Sequence, residues 1–108
     1  MPRSAPCAAL ASALALAMPL STAQAQEDLA VAIKASSCNA CHGPGGRSEA
    51  GIPPLAGRNA DEMFRAMTDF KSGTRAAYVM HHHTRGYSED ELRAIAAWFS
   101  RQPTQGKR

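Results

Sequence analysis

Apolar and polar positions along this chain fall into stretches of different character. Residues 8–20 are an Ala- and Leu-rich run broken only by Ser12 and Pro19. In residues 27–36, Leu29, Ala30 and Ile33 recur at i, i+1 and i+4, which predicts a short helix with a narrow apolar stripe. Glu27 and Asp28 stand at its start, where the helix dipole favours acidic side chains. Residues 43–57 are dense in Gly and Pro and predict a loop, with Ile52 and Leu55 as its apolar contacts. Asn59, with Glu62 three residues on, resembles a capping box and opens a second helix. Met63, Phe64, Met67 and Phe70 follow at helical spacing, and Gly73 ends the run. Ser88 and Glu91 make a full capping box before Leu92, Ile95, Ala96 and Phe99, which share one face at i, i+3, i+4 and i+7. Pro103 lies just beyond that last helix. No segment alternates with period two, and no repeat is present, so the pattern predicts an all-α domain of about three to four short helices.

The apolar run at 8–20 is shorter than the roughly 20 residues a membrane-spanning helix needs. Arg3 precedes it and Ala23-Gln24-Ala25 follows it. That layout is an export signal with a small-residue cleavage site, against the alternative of an uncleaved membrane anchor. Residues 1–25 are therefore expected to be a signal peptide and residues 26–108 one domain, exported to the periplasm. Cys7 lies before the run, where it is badly placed for lipid attachment, and is expected to leave with the signal. No stable membrane insertion is expected after cleavage.

Composition adds a constraint. The whole chain carries a net charge of +3, and loss of Arg3 lowers it by one. No basic run or interleaving of basic and aromatic residues points to nucleic acid. A domain this short buries only about 60–65% of the surface of its unfolded chain, so a covalent staple or bound group is expected to complete the core.

Cys38-Asn39-Ala40-Cys41-His42 supplies that staple. Cys-x-x-Cys-His is the spacing of c-type haem attachment. Two thiols at this separation can add across the two vinyl groups of one porphyrin, and the adjacent imidazole can ligate the iron. Three other readings compete. A thioredoxin-like dithiol would open a helix after a strand in an α/β pattern, and no strand pattern is visible. Zinc would require a second ligand pair, for which His81, His82 and His83 are the only source. A short structural disulfide is the third. Two cysteines in an exported chain ordinarily oxidise, and capture as thioethers removes them from that chemistry. One covalently bound haem c is the expected cofactor, held through Cys38 and Cys41 with His42 as proximal iron ligand.

A low-spin haem needs a second axial ligand, whereas an open position binds small molecules. Met80 follows the apolar run-up Ala76-Ala77-Tyr78-Val79 and is the expected distal ligand. Its thioether favours ferrous iron and raises the potential relative to two imidazoles. His81, His82 and His83 are rivals, but Thr84-Arg85-Gly86 follows them, and the triplet reads as a solvated polar loop. Met63 and Met67 are weaker rivals, since their stripe reads as core packing.

Taken in order, Cys38-Asn39-Ala40-Cys41-His42-Gly43, Ile52-Pro53-Pro54-Leu55-Ala56-Gly57, Phe70-Lys71-Ser72-Gly73, Tyr78-Val79-Met80 and Gly86-Tyr87-Ser88-Glu89-Asp90-Glu91-Leu92 resemble small class I cytochromes c. The resemblance is to c553-type single-haem proteins and to the cytochrome subunit of flavocytochrome c sulfide dehydrogenase, and it covers essentially all of residues 26–108. It implies thioethers at Cys38 and Cys41, iron ligation by His42 and Met80, and a hydrogen bond from the His42 ring to the Pro53 carbonyl. It also implies that the first and last helices cross, with Leu29 and Ile33 near Leu92, Ile95 and Phe99. Trp98 and Tyr87 are expected to pack or to stand on the propionate side. The three histidines after Met80 depart from the mixed apolar and basic residues common in the family.

The function these features imply is transfer of single electrons between redox proteins, such as a flavoprotein dehydrogenase and a terminal oxidase or reaction centre, without catalytic residues. One alternative is an obligate haem subunit of a larger, sulfide-oxidising flavoprotein complex. Another is a haem sensor or small peroxidase with a labile distal ligand.

Overall fold

The structure is a computed structural model that describes residues 1–2 and 20–104. Arg3, Cys7 and residues 8–19 of the apolar run fall outside the described residues. Every regular element among the described residues is helical. Helix α1 spans Leu20–Ser36, α2 Asn39–His42, α3 Ala60–Ser72, α4 Met80–Arg85 and α5 Glu89–Ser100. Among the described residues, no helix is long and apolar enough to cross a membrane.

The ends of α3 and α5 lie where the capping residues put them. The Asn59 side chain accepts from the Glu62 N–H at 3.0 Å. The helix stops at Gly73, whose φ of 82° is left-handed and whose N–H donates to the Phe70 carbonyl. At α5, the Glu91 N–H donates to Ser88 Oγ at 3.2 Å, and the Ser88 N–H donates to a Glu91 carboxylate oxygen at 2.9 Å. Each bond satisfies a backbone donor that the first turn leaves open.

Three elements differ from the sequence expectation. α1 begins at Leu20 rather than at residue 27. No Gly or Pro lies between Leu20 and Ser36, and Ala and Gln are good helix formers, so the helix has no reason to start later. The Gly-rich loop contains a single 3-10 turn, Pro44–Gly46, in which Gly45 and Gly46 take positive φ. The expected loop around the histidines is helix α4. Its sequence holds no Gly or Pro, and Gly86 follows its last residue. Within it the Thr84 hydroxyl donates to the Met80 carbonyl at 2.8 Å, one helical turn back.

α5 is the centre of the packing. Leu92, Ile95, Ala96 and Phe99 are all buried, as their spacing predicts. α3 packs on α5 through Met63, and α1 packs on it through Ala35, which has no exposed surface. The first and last helices therefore meet, but not through Leu29 and Ile33. Those two side chains are 62% and 64% exposed. The face of α1 turned to α5 carries Ala30, Val31, Lys34 and Ala35 instead. Small residues let the two backbones approach, and the contact is closed by polar pairs. Lys34 donates to Glu91 at 2.7 Å, and Arg101 lies 3.7 Å from the Asp28 carboxylate. Trp98 packs on the same core and meets the Phe99 ring edge-on, with centroids 4.9 Å apart.

Candidate functional site

Cys38, Cys41 and His42 are brought together by one helical turn. The His42 N–H donates to the Cys38 carbonyl at 2.9 Å, and the Cys41 N–H donates to the same oxygen at 3.3 Å. Gly43 ends the turn with φ of 80°, and the chain doubles back so closely that a Cβ there would lie 2.8 Å from the Arg47 carbonyl oxygen. Only glycine fits that return path. The two thiols are not joined in a disulfide. Cys41 is exposed and Cys38 is half-buried. Burial pushes the Cys38 thiol up, and a hydrogen bond with Ser37 offsets this in part.

The His42 ring is buried, and its Nδ1 lies 2.7 Å from the Pro53 carbonyl oxygen. A carbonyl only accepts, so Nδ1 carries the proton and the lone pair is on Nε2. Pro53 is held in reach by the turn that follows it. The Leu55 and Ala56 N–H groups both donate to the Gly46 carbonyl, at 2.7 and 3.2 Å. Gly46 is itself pressed against the core, since a Cβ on it would lie 2.7 Å from the Phe99 ring. The last helix thus fixes the loop, the loop fixes Pro53, and Pro53 orients the His42 imidazole.

Met80 belongs to a different part of the chain. It is half-buried at the start of α4, which packs on α3. Met63 is buried in the core cluster and Met67 packs against that cluster, so both are occupied in packing. His82 and His83 are exposed, as expected of a polar segment, but His81 is not. Its Nδ1 is buried without a hydrogen-bond partner among the described residues.

Some contacts that shape the site have no signal in the sequence. The Tyr87 hydroxyl and Ser37 Oγ lie 3.0 Å apart, which ties the chain before Cys38 to the chain before α5. Lys71 Nζ donates to the Tyr87 carbonyl, so α3 holds the same residue from the other side. Both pairs are distant along the chain, and nothing in the residue types foretells the pairing.

The donor set fits a c-type haem. Two unpaired thiols and a buried imidazole with a free Nε2 share one turn. Ile52, next to Pro53 in the chain, and Val79, next to Met80, are 41% and 51% exposed, apolar surface that a flat hydrophobic ligand would cover. Zinc would need three or four protein ligands. Among the described residues, no group of three or more His, Cys, Asp or Glu side chains is placed to hold a metal ion.

Comparison with known proteins agrees with this chemistry. Residues 24–99 match the family described as cytochrome c oxidase, cbb3-type, subunit III. The chain is 40% identical over 63 residues to the cytochrome subunit of sulfide dehydrogenase from Chlorobaculum tepidum, an alignment covering 58% of this chain and 57% of that one. It is 39% identical over 67 residues to the thiosulfate dehydrogenase electron acceptor of Stutzerimonas stutzeri, covering 58% of this chain and 31% of the relative. It is 37% identical over 84 residues to cytochrome c4 of Azotobacter vinelandii, covering 68% and 40%. The chain therefore spans between about a third and three fifths of the length of these curated relatives. With the family matching most of its length, and with two cysteines and a buried histidine gathered on one turn, this chain belongs to that family and is a class I c-type cytochrome.

Proposed function

We propose that residues 1–25 are an export signal and that residues 26–108 form a periplasmic carrier of single electrons, with one haem c bound through Cys38 and Cys41 and ligated by His42 and Met80. The observation that carries this reading is the His42 ring. It is buried on the same turn as both thiols, with Nδ1 committed to the Pro53 carbonyl and Nε2 left free. The haem, once bound, supplies the one-electron couple.

The protein's own residues do the rest. The Pro53 carbonyl fixes the tautomer and orientation of His42 and raises the basicity of its ligating nitrogen. Cys38 and Cys41 hold the group against dissociation. Met80 offers a soft, uncharged thioether, which favours the reduced state. No catalytic residue is required, because partners exchange electrons through brief encounters.

A second reading is supported by the relative from Chlorobaculum tepidum, whose name makes it a subunit of a sulfide dehydrogenase. On this reading the chain is the haem subunit of such an oxidoreductase and accepts electrons from a flavoprotein. The first test is an optical spectrum, oxidised and reduced, of chain matured in a host equipped for c-type haem attachment. Haem that survives acid extraction in the wild type and is lost in C38A/C41A supports the reading. Colourless protein with free thiols or bound zinc overturns it. Stable co-purification with a flavoprotein would favour the subunit reading over the free carrier.

A further inference from the structure

We propose that His81, and neither His82 nor His83, is a second distal donor, positioned to replace the Met80 thioether on the iron. The inference rests on the haem reading above. It starts from the geometry of α4. Thr84 is 2% exposed and marks the buried face of this helix. At about 100° per residue, Met80 stands roughly 40° to one side of Thr84 and His81 roughly 60° to the other. His83 is turned about 100° away, and His82 about 160°. The exposures follow that order, since Met80 and His81 are half-buried while His82 and His83 are exposed.

The second observation is chemical. Among the described residues, His81 Nδ1 is buried with no hydrogen-bond partner, and its ring lies against that of His82 with centroids 3.9 Å apart. Imidazole is a good iron ligand. Met80 and His81 are one residue apart, so an exchange asks for about 100° of rotation and about 1.5 Å of travel along one short helix. The rest of the fold can stay in place.

In the exchange, the bond between the Met80 sulfur and iron breaks and a bond from a neutral His81 nitrogen to iron forms. No electron or proton is transferred. An imidazole favours the ferric state relative to a thioether, so His81 ligation belongs to the oxidised protein and lowers its potential.

The experiment uses haem-loaded protein at one fixed pH, with electron paramagnetic resonance and optical spectra of the ferric state. Four forms are compared: wild type, M80A, M80A/H81A and M80A/H82A/H83A. The expected result is a low-spin, imidazole-ligated haem in M80A and in M80A/H82A/H83A, and loss of that signal to high-spin iron in M80A/H81A alone. A high-spin M80A, or an M80A/H81A that stays low-spin, overturns the proposal. Circular dichroism of each variant confirms that the helices are intact. Failure of the underlying reading looks different, because then the wild type itself retains no acid-stable haem.

Discussion

Gly46 joins the core to the haem-binding turn, and replacing it by alanine tests that link. Its φ is 75°, and an added Cβ would lie 2.7 Å from one Phe99 ring carbon, 2.9 Å from the Leu55 Cβ and 3.0 Å from a second ring carbon. The left-handed backbone alone costs about 1–2 kcal/mol for an alanine. Overpacking against a buried ring adds about 1–3 kcal/mol. G46A is therefore expected to lose about 2–5 kcal/mol. Gly51 provides the control, because its φ is 80° but a Cβ there would meet nothing within 4 Å. G51A should lose only the backbone part, about 1–2 kcal/mol. The assay is guanidinium chloride unfolding of the haem-loaded proteins, followed by far-ultraviolet circular dichroism and checked by thermal melting. In a domain this small each kcal/mol moves the melting temperature by about 4–8 °C. Because the Gly46 carbonyl accepts from Leu55 and Ala56, G46A should also disturb the Pro53 contact to His42 and shift the reduction potential, which G51A should leave alone. If the two variants match to within about 0.5 kcal/mol, the size expected of a substitution that touches nothing, the chain of contacts from Phe99 to His42 does not hold.

Other substitutions probe the remaining contacts. F99A removes a ring that is 1% exposed and should cost about 3–5 kcal/mol in the same unfolding assay; a loss below about 1 kcal/mol would place the core elsewhere. S88A removes one half of the capping box and should cost about 1 kcal/mol, with an unchanged midpoint refuting the cap. The Glu91 carboxyl is held below the usual carboxylate range by its hydrogen bond from Lys34 and then by the Ser88 N–H. Its folded value lies below the unfolded one, so its stabilisation is present above the ordinary glutamate pKa of about 4.3 and is lost as pH falls through the folded value. E91Q should therefore flatten the acid limb of a stability-against-pH curve, and an unaltered limb would contradict the pairing. M80A should lower the reduction potential measured by spectroelectrochemical titration, since a thioether that favours ferrous iron is gone; an unchanged potential would remove Met80 from the iron.

The grouping of Cys38, Cys41 and His42 was legible because a helical turn is a local structure. Five consecutive residues on one turn bring two thiols and an imidazole close together, and only the orientation of the ring is left to Pro53. The ends of α3 and α5 were legible for the same reason, since Asn59, Gly73 and the Ser88–Glu91 box act within four residues of themselves. The buried face of α5 followed from spacing alone, because one apolar stripe left it no second way to pack.

What spacing could not decide was which of two surfaces a weakly patterned helix would bury. In α1 the large side chains Leu29 and Ile33 face outward, while Ala35 and the Lys34 pair with Glu91 meet α5. Close approach of two backbones favours small residues, and only the packed partner reveals that preference. The same holds in α4, where three adjacent histidines are identical in sequence terms and become inequivalent once Thr84 turns inward and takes His81 with it. Local order is written in neighbouring residues and survives without a partner, whereas the choice of buried face is a property of two surfaces in contact.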